Sequence, residues 1–465
     1  MNRYYLFVDF GSTFTKLTAI DVTKEVIIGT AKSHTTVETH LMDGFDSAYL
    51  QLLAAIGQPR MQFQEKFVCS SAKGGFKMVA IGLTESLTAE AAKRAALGAG
   101  TRILKTYSLQ LTPADILEID QLAPDVILLS GGTDGGNQQF ILQSAQLLTT
   151  LASPPPIVVA GNQAAQPKIA PIFNQKKLTY LFTENVMPKI NVLNAEPVRL
   201  ILRDLFMQQI IEAKGLTDVE QQVGAVLMPT PTAVLTAANY LAAGDGNEAG
   251  IGDLMVVDVG GATTDLHSVC DGKPTNKAIR MEGLQEPYKK RTVEGDLGMS
   301  YSALSLYEAV GVAKIKHYLP QFKSSQIYQA CKQREENPNL VATTAQEQAF
   351  DDALAKVAID TAFNRHAGFL RQEKTPTRTL AFQTGKDLTQ LKYVIGTGGI
   401  LSFNPHAQTL LSACLQKEEQ AHILKPIQPQ FYLDQHYMLS AMGLLASVHP
   451  EKAIRMMKKY LLRLT

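Results

Sequence analysis

The chain has 465 residues, 45% of them hydrophobic and 19% charged, with a formal net charge of +1. That length exceeds one core and calls for about two or three domains, while near-neutrality excludes a bulk field drawing the chain to nucleic acid or an anionic membrane. Cys69, Cys270, Cys331 and Cys414 are scattered without a Cys-x-x-Cys pair, which argues against a disulfide framework, a zinc site or a cysteine-held iron–sulfur cluster.

No apolar run approaches the roughly 20 residues needed to cross a bilayer. The first residues run directly into a strand and an acid at Asp9, leaving no room for a signal peptide. A cytoplasmic protein with reduced thiols is expected.

In chain order, Tyr4 to Asp9 reads as a buried strand, followed after a Gly-Ser-Thr turn by strands at Lys16 to Val22 and Glu25 to Lys32. Helix and strand signals then alternate: a helix near Asp46 to Ile56, a strand near Lys66 to Cys69, and a helix from Thr88 to Leu97. Val126 to Leu129 is a strand running into Ser130-Gly131-Gly132, with a helix from about Gln138 and another strand at Ile157 to Ala160. Helices are expected at Ala195 to Ala213 and Thr232 to Ala243. The polar, glycine-rich stretch Gly244 to Gly252 is the best linker. We therefore expect a first domain over 1–245, a linker over 246–252, a second domain over 253–433, and C-terminal helices over 434–465 that pack at the cleft or back on the first domain.

The second domain begins by repeating the first. Val8-Asp9-Phe10-Gly11-Ser12-Thr13-Phe14-Thr15 aligns with Val257-Asp258-Val259-Gly260-Gly261-Ala262-Thr263-Thr264, identical at four of eight positions. Each is a strand, an acid, a turn of small residues and a second strand. A second pair, Val126 to Gly132 and Tyr393 to Gly399, recurs at similar separation, as in two domains built on one plan.

Turns of Gly, Ser and Thr let backbone amides approach phosphate oxygens closely. The expected phosphate contacts are Gly11, Ser12, Thr13, Thr15 and Lys16 on one side and Gly260, Gly261, Ala262 and Thr263 on the other. Asp9 and Asp258 suit a Mg²⁺ ion that keeps several waters and bridges carboxylate to phosphate. Gly396, Thr397, Gly398 and Gly399, between a strand and a helix, suit close approach to adenosine. For orienting water against a terminal phosphate, Thr263, Thr264 and Asp265 are candidates, as are Glu294 and Asp296, the last also readable as a helix cap. Arg365 and His366 fit a structural ion pair or a partner contact. Lys73 reads as a solvated loop lysine or a second anion site. The basic segment Glu451 to Arg463 reads as a helix docked on its own domain or as a surface for acidic partners.

These elements resemble the actin, heat-shock-chaperone and sugar-kinase ATPase superfamily. Pro231 through Leu241 and Asp434 through Ala446 resemble that superfamily's two cleft-lining helices. The resemblance implies an α/β fold of two duplicated ribonuclease-H-like (actin-like ATPase) domains around a cleft for ATP and Mg²⁺. A closer resemblance is to the glutamate (methylaspartate) mutase accessory proteins of the MutL type, unrelated to the mismatch-repair protein. It is carried by Thr35 to Thr39, Cys69 to Gly75, Gly131 to Asn137, Asn185 to Pro188, Arg291 to Met299, Arg365 to Gly368 and Gly385 to Thr389. It implies a reactivating chaperone that uses ATP to release damaged cobalamin from an adenosylcobalamin-dependent glutamate mutase. A small-molecule kinase of the same superfamily is the alternative.

Overall fold

The computed structural model describes residues 3–464 except 12, 37–39, 72–75, 93–94, 96–100, 212–222, 375 and 377–378. Ser12 and Lys73 thus lie outside the described residues, as do Gly98 and Gly100 at the end of the helix expected from Thr88.

Two sheets share one plan. In the first, Tyr4–Phe10 lies between its antiparallel hairpin partner Phe14–Asp21 and the parallel strand Glu65–Ser70, with Val26–His34 and Val226–Pro229 at the edges. In the second, Leu254–Val259 lies between antiparallel Thr264–Val269 and parallel Tyr393–Thr397. Lys289–Glu294 flanks the former, and Gln430–Leu433 then Leu462–Arg463 flank the latter. Both read antiparallel, antiparallel, parallel, parallel through their first five strands. This is the duplicated ribonuclease-H-like α/β fold.

The central strands explain their own burial. Leu6, Val8 and Phe10 point to one face and Tyr5 and Phe7 to the other, all buried, because successive side chains of a strand alternate in direction. One face of each sheet has its own core. The other two faces share a third, in which Tyr5, Phe7, Val256 and Ile395 pack with the helices Thr230–Ala243, Leu439–Ala446 and Pro450–Tyr460. Thr230–Ala243 and Leu439–Ala446 cross so closely that a Cβ on Gly443 would lie 1.9 Å from the Ala233 carbonyl oxygen. Only glycine permits that approach.

The basic C-terminal helix is docked on the chain itself. Ala453, Ile454, Met456 and Met457 are buried, Lys452 Nζ donates to the Val22 carbonyl, and Arg455 pairs with Glu25. Among the described residues no helix is long and apolar enough to cross a membrane, and all four cysteines are free and buried.

The expected pairing of Val126 with Tyr393 as counterparts does not hold. Val126–Leu129 belongs to a separate five-stranded parallel sheet with Phe76–Gly82, Thr101–Ser108, Ile157–Val159 and Tyr180–Phe182, inserted between strands of the first sheet. The position equivalent to Tyr393–Thr397 is held by Glu65–Ser70, since each is the parallel neighbour of its sheet's central strand. A strand followed by Gly-Gly recurs wherever a parallel strand ends at a tight turn, so local likeness misassigned the element.

Candidate functional site

The two repeated turns close identically. The Gly11 amide donates to the Phe14 carbonyl at 3.1 Å, and the Gly260 amide to the Thr263 carbonyl at 2.9 Å. Both turns line a single cleft of about 260 Å³, together with Asp9, Thr13, Lys16, Asp258, Gly261, Ala262, Thr263, Gly398 and Gly399. Residues expected from both halves therefore meet at one cleft, although Thr15, Thr264, Gly396 and Thr397 are not among those lining it.

Strand alternation sorts the rest. Across the first hairpin Asp9 stands opposite Lys16, and across the second Asp258 stands opposite Asp265. Thr15 and Thr264 precede Lys16 and Asp265, so their side chains take the other face. Thr15 is buried against Thr35, Oγ1 to Oγ1 3.1 Å, and Thr264 Oγ1 donates to the Leu297 carbonyl at 2.7 Å. Glu294 pairs in register with Thr264 and accepts a hydrogen bond from Arg365 at 2.7 Å; the same guanidinium grips Asp296. The two expected catalytic side chains Thr264 and Glu294 are thus placed outside the cleft, and Arg365 and Asp296 form an ion pair rather than a helix cap.

Asp9 is held by two hydroxyls. Thr230 Oγ1 donates to its Oδ1 at 2.6 Å and Ser440 Oγ to its Oδ2 at 3.2 Å, so both central helices orient it. Asp265 accepts from Arg291 Nη2 at 2.8 Å and from Thr263 Oγ1 at 2.9 Å. Asp434 caps the Leu439–Ala446 helix, accepting from the Met438 and Leu439 amides.

The Gly396 to Gly399 loop abuts the second acid. Gly398 has φ +94, and a Cβ there would lie 2.3 Å from the Val259 carbonyl oxygen and 2.8 Å from Asp258 Oδ1. Gly396 faces Leu401 and Leu411 in the core instead, and Thr397 Oγ1 lies 3.4 Å from Asp434 Oδ2.

Charge in the cleft is divided. Burial pushes the Asp258 carboxyl up to about 6; Lys16 opposes that rise, while Asp265, Asp9 and Asp434 reinforce it. Two carboxylates, Asp9 and Asp258, facing one cleft fit a bound cation. Among the described residues no group of three or more His, Cys, Asp or Glu side chains is arranged to hold one. Magnesium, which keeps several of its waters, is a cation that two carboxylates of this kind would fit. On the other side, Lys16 Nζ lies 4.6 Å from the Tyr437 ring centre and Lys32 Nζ 5.7 Å from it. His267, also lining the cleft, is held neutral: burial, aided by Arg291, pushes its imidazole down to about 3.

A family model described as "MutL protein" matches residues 5–461. The chain belongs to the MutL protein family. "Protein MutL" of Clostridium tetanomorphum is 49% identical to it over 459 residues, covering 99% of each chain. Among solved structures, similarity is found to gluconate kinase from Lactobacillus acidophilus (10% identity, 100% of this chain and 93% of that chain, TM-score 0.35). It is also found to xylulose kinase from Bifidobacterium adolescentis (10% identity, 98% and 93%, TM-score 0.33).

Several cleft residues of this MutL-family chain were missed by sequence reasoning. Lys32 carries no clean signal: a regular hairpin about Thr23-Lys24 would set Ala31 opposite Lys16, and the register shift between Ala19 and Ile20 brings Lys32 there instead. Tyr437 and Ser440 lie within the segment Asp434 to Ala446 expected at the cleft, and Thr230 just before the one from Pro231, but their individual contacts with Asp9 and Lys16 follow only from how the central helices pack.

Proposed function

We propose that this chain is a Mg²⁺-dependent ATPase that reactivates an adenosylcobalamin-dependent glutamate (methylaspartate) mutase, coupling ATP binding and hydrolysis to release of damaged cobalamin. The observation that supports it is the meeting of Asp9 and Asp258, equivalent residues of the two copies, at one cleft in a member of the MutL protein family. On this reading the nucleotide sits between a first domain over 1–245 and a second over 253–433, with the helices after 434 between them.

In this reading Lys16 and Lys32 hold the anionic end of the nucleotide and the Gly398-Gly399 turn admits its adenosine end. Asp9, fixed by Thr230 and Ser440, and Asp258 hold the waters of Mg²⁺, which supplies charge neutralisation at the phosphates when bound. Of the acids considered for orienting water, Asp265 is the one at the cleft, held by Arg291. Contacts from both halves to one nucleotide favour a closed arrangement over an open one. Reversing a 1:99 equilibrium takes about 5.5 kcal/mol of differential binding, and that difference would be read out as altered affinity for the mutase.

The test mixes the purified chain with inactivated mutase carrying hydroxocobalamin and follows cobalamin release by absorbance. Release with Mg-ATP but not with a non-hydrolysable analogue is expected. No release, or phosphate appearing on a small metabolite, would overturn the proposal, the latter in favour of a kinase.

A further inference from the structure

The helix Thr230–Ala243 has two occupied faces. Thr230, Pro231 and Val234 line the nucleotide cleft, while Thr232, Leu235, Thr236, Asn239 and Tyr240 line a separate pocket of about 320 Å³. The far wall of that pocket is cationic. Arg199 and Arg203 come from the helix Glu196–Ile211, packed against the first sheet, and Lys289 opens the strand Lys289–Glu294 of the second. Glu196 is the only carboxylate among the lining residues.

Among the described residues these cations have little internal compensation. Arg203 and Lys289 have no ion pair among the described residues. Arg199 Nη1 meets Glu196 at 3.5 Å, but the Glu196 side chain is 71% exposed, and such pairs contribute little. Arg199 Nε and Thr232 Oγ1 are shielded from solvent without a hydrogen-bond partner among the described residues. Buried polar atoms in that state are rare enough to call for a cause, and three cations facing one carboxylate leave a local charge surplus.

We propose that this pocket binds a small dianion, a phosphate or a short dicarboxylate, clamped between Arg199 and Arg203 of the first half and Lys289 of the second. Guanidinium groups present paired N–H donors that match carboxylate and phosphate oxygens. The ligand bridges the two halves behind the helix whose other face carries Thr230, the hydroxyl on Asp9. The inference does not depend on ATP occupying the cleft.

The experiment is calorimetric titration of the full chain with inorganic phosphate and, separately, succinate, in chloride buffer at fixed ionic strength. Each titration is repeated with a non-hydrolysable ATP analogue present. One saturable site that persists with the analogue is expected, weakened at least tenfold in both Arg199→Gln and Lys289→Gln. The arm with the tighter binding names the source of the dianion. If Arg199→Gln fails to fold, the exposed Lys289→Gln and Arg203→Gln decide. Absence of saturable binding by both anions, loss of binding when the analogue is added, or wild-type affinity in the variants would overturn the assignment.

Discussion

Lys16 stands directly opposite Lys32 across antiparallel strands, and both ammonium groups lie near the ring of Tyr437. Like charges in that position destabilise a sheet. Burial, with the charge of Lys16, holds the Lys32 ammonium below the usual lysine range. A pair of cations kept at such a cost fits an anionic ligand, and its removal has two opposite effects. Lys32→Gln should stabilise the ligand-free chain by about 0.2–1 kcal/mol in denaturant unfolding. The same change should weaken Mg-ATP binding about tenfold, a loss of ~1.4 kcal/mol. Unchanged ATP affinity would remove Lys32 from the site.

The Asp258 carboxyl titrates near 6 in the folded chain against an ordinary 3.8. Between those values the folded chain holds the proton that the unfolded chain has released. Stability of the ligand-free protein therefore falls as pH rises through this window, by on the order of 3 kcal/mol, and the loss is complete above it. Asp258→Asn should flatten that slope. ATPase activity should run the other way, falling as pH drops below about 6 because a protonated Asp258 cannot hold the metal's waters. Higher Mg²⁺ should move the limb to lower pH. A pH–rate profile and an unfolding series measure both.

Thr230 Oγ1 donates to Asp9 at 2.6 Å. Hydrogen bonds to charged groups contribute about 1.5–3 kcal/mol. Thr230→Val should lower kcat roughly tenfold or more while leaving far-UV circular dichroism unchanged. Full activity in this variant would mean that Asp9 needs no orientation from the central helix.

Much of the site was legible because its signals are local. The acid and small-residue turns at Asp9 to Thr13 and Asp258 to Thr263 need only adjacent residues, and their repetition carried the duplicated fold. The boundaries of Val126–Leu129 were legible as well, yet its place was not. Sheet order depends on which strand pairs beside the central one, and nothing in Ser130-Gly131-Gly132 specifies that. Thr264 and Glu294 show the same limit: a residue beside a cleft-facing acid on a strand faces the opposite way, and Glu294 follows Thr264 through cross-strand register. The cationic pocket behind Thr230–Ala243 assembles Arg199, Arg203 and Lys289 from distant segments and leaves no sequence motif.

Gly443 tests the helical layer. Adding a methyl 1.9 Å from the Ala233 carbonyl oxygen must spread the two central helices, and overpacking of this kind costs about 1–3 kcal/mol. Gly443→Ala should lower the unfolding midpoint by that amount and weaken nucleotide binding together with it, because the same helices carry Ser440 and Thr230. A destabilised variant with intact ATP affinity would separate the layer from the site.

The most direct test of the two-sided grip is titration of the wild-type chain with Mg-ATP by calorimetry, alongside Asp9→Asn and Asp258→Asn. A stoichiometry of one per chain is predicted, with affinity at saturating Mg²⁺ reduced at least tenfold by either substitution and the two losses not additive. Two independent sites, no binding at all, or wild-type affinity in either variant would contradict it.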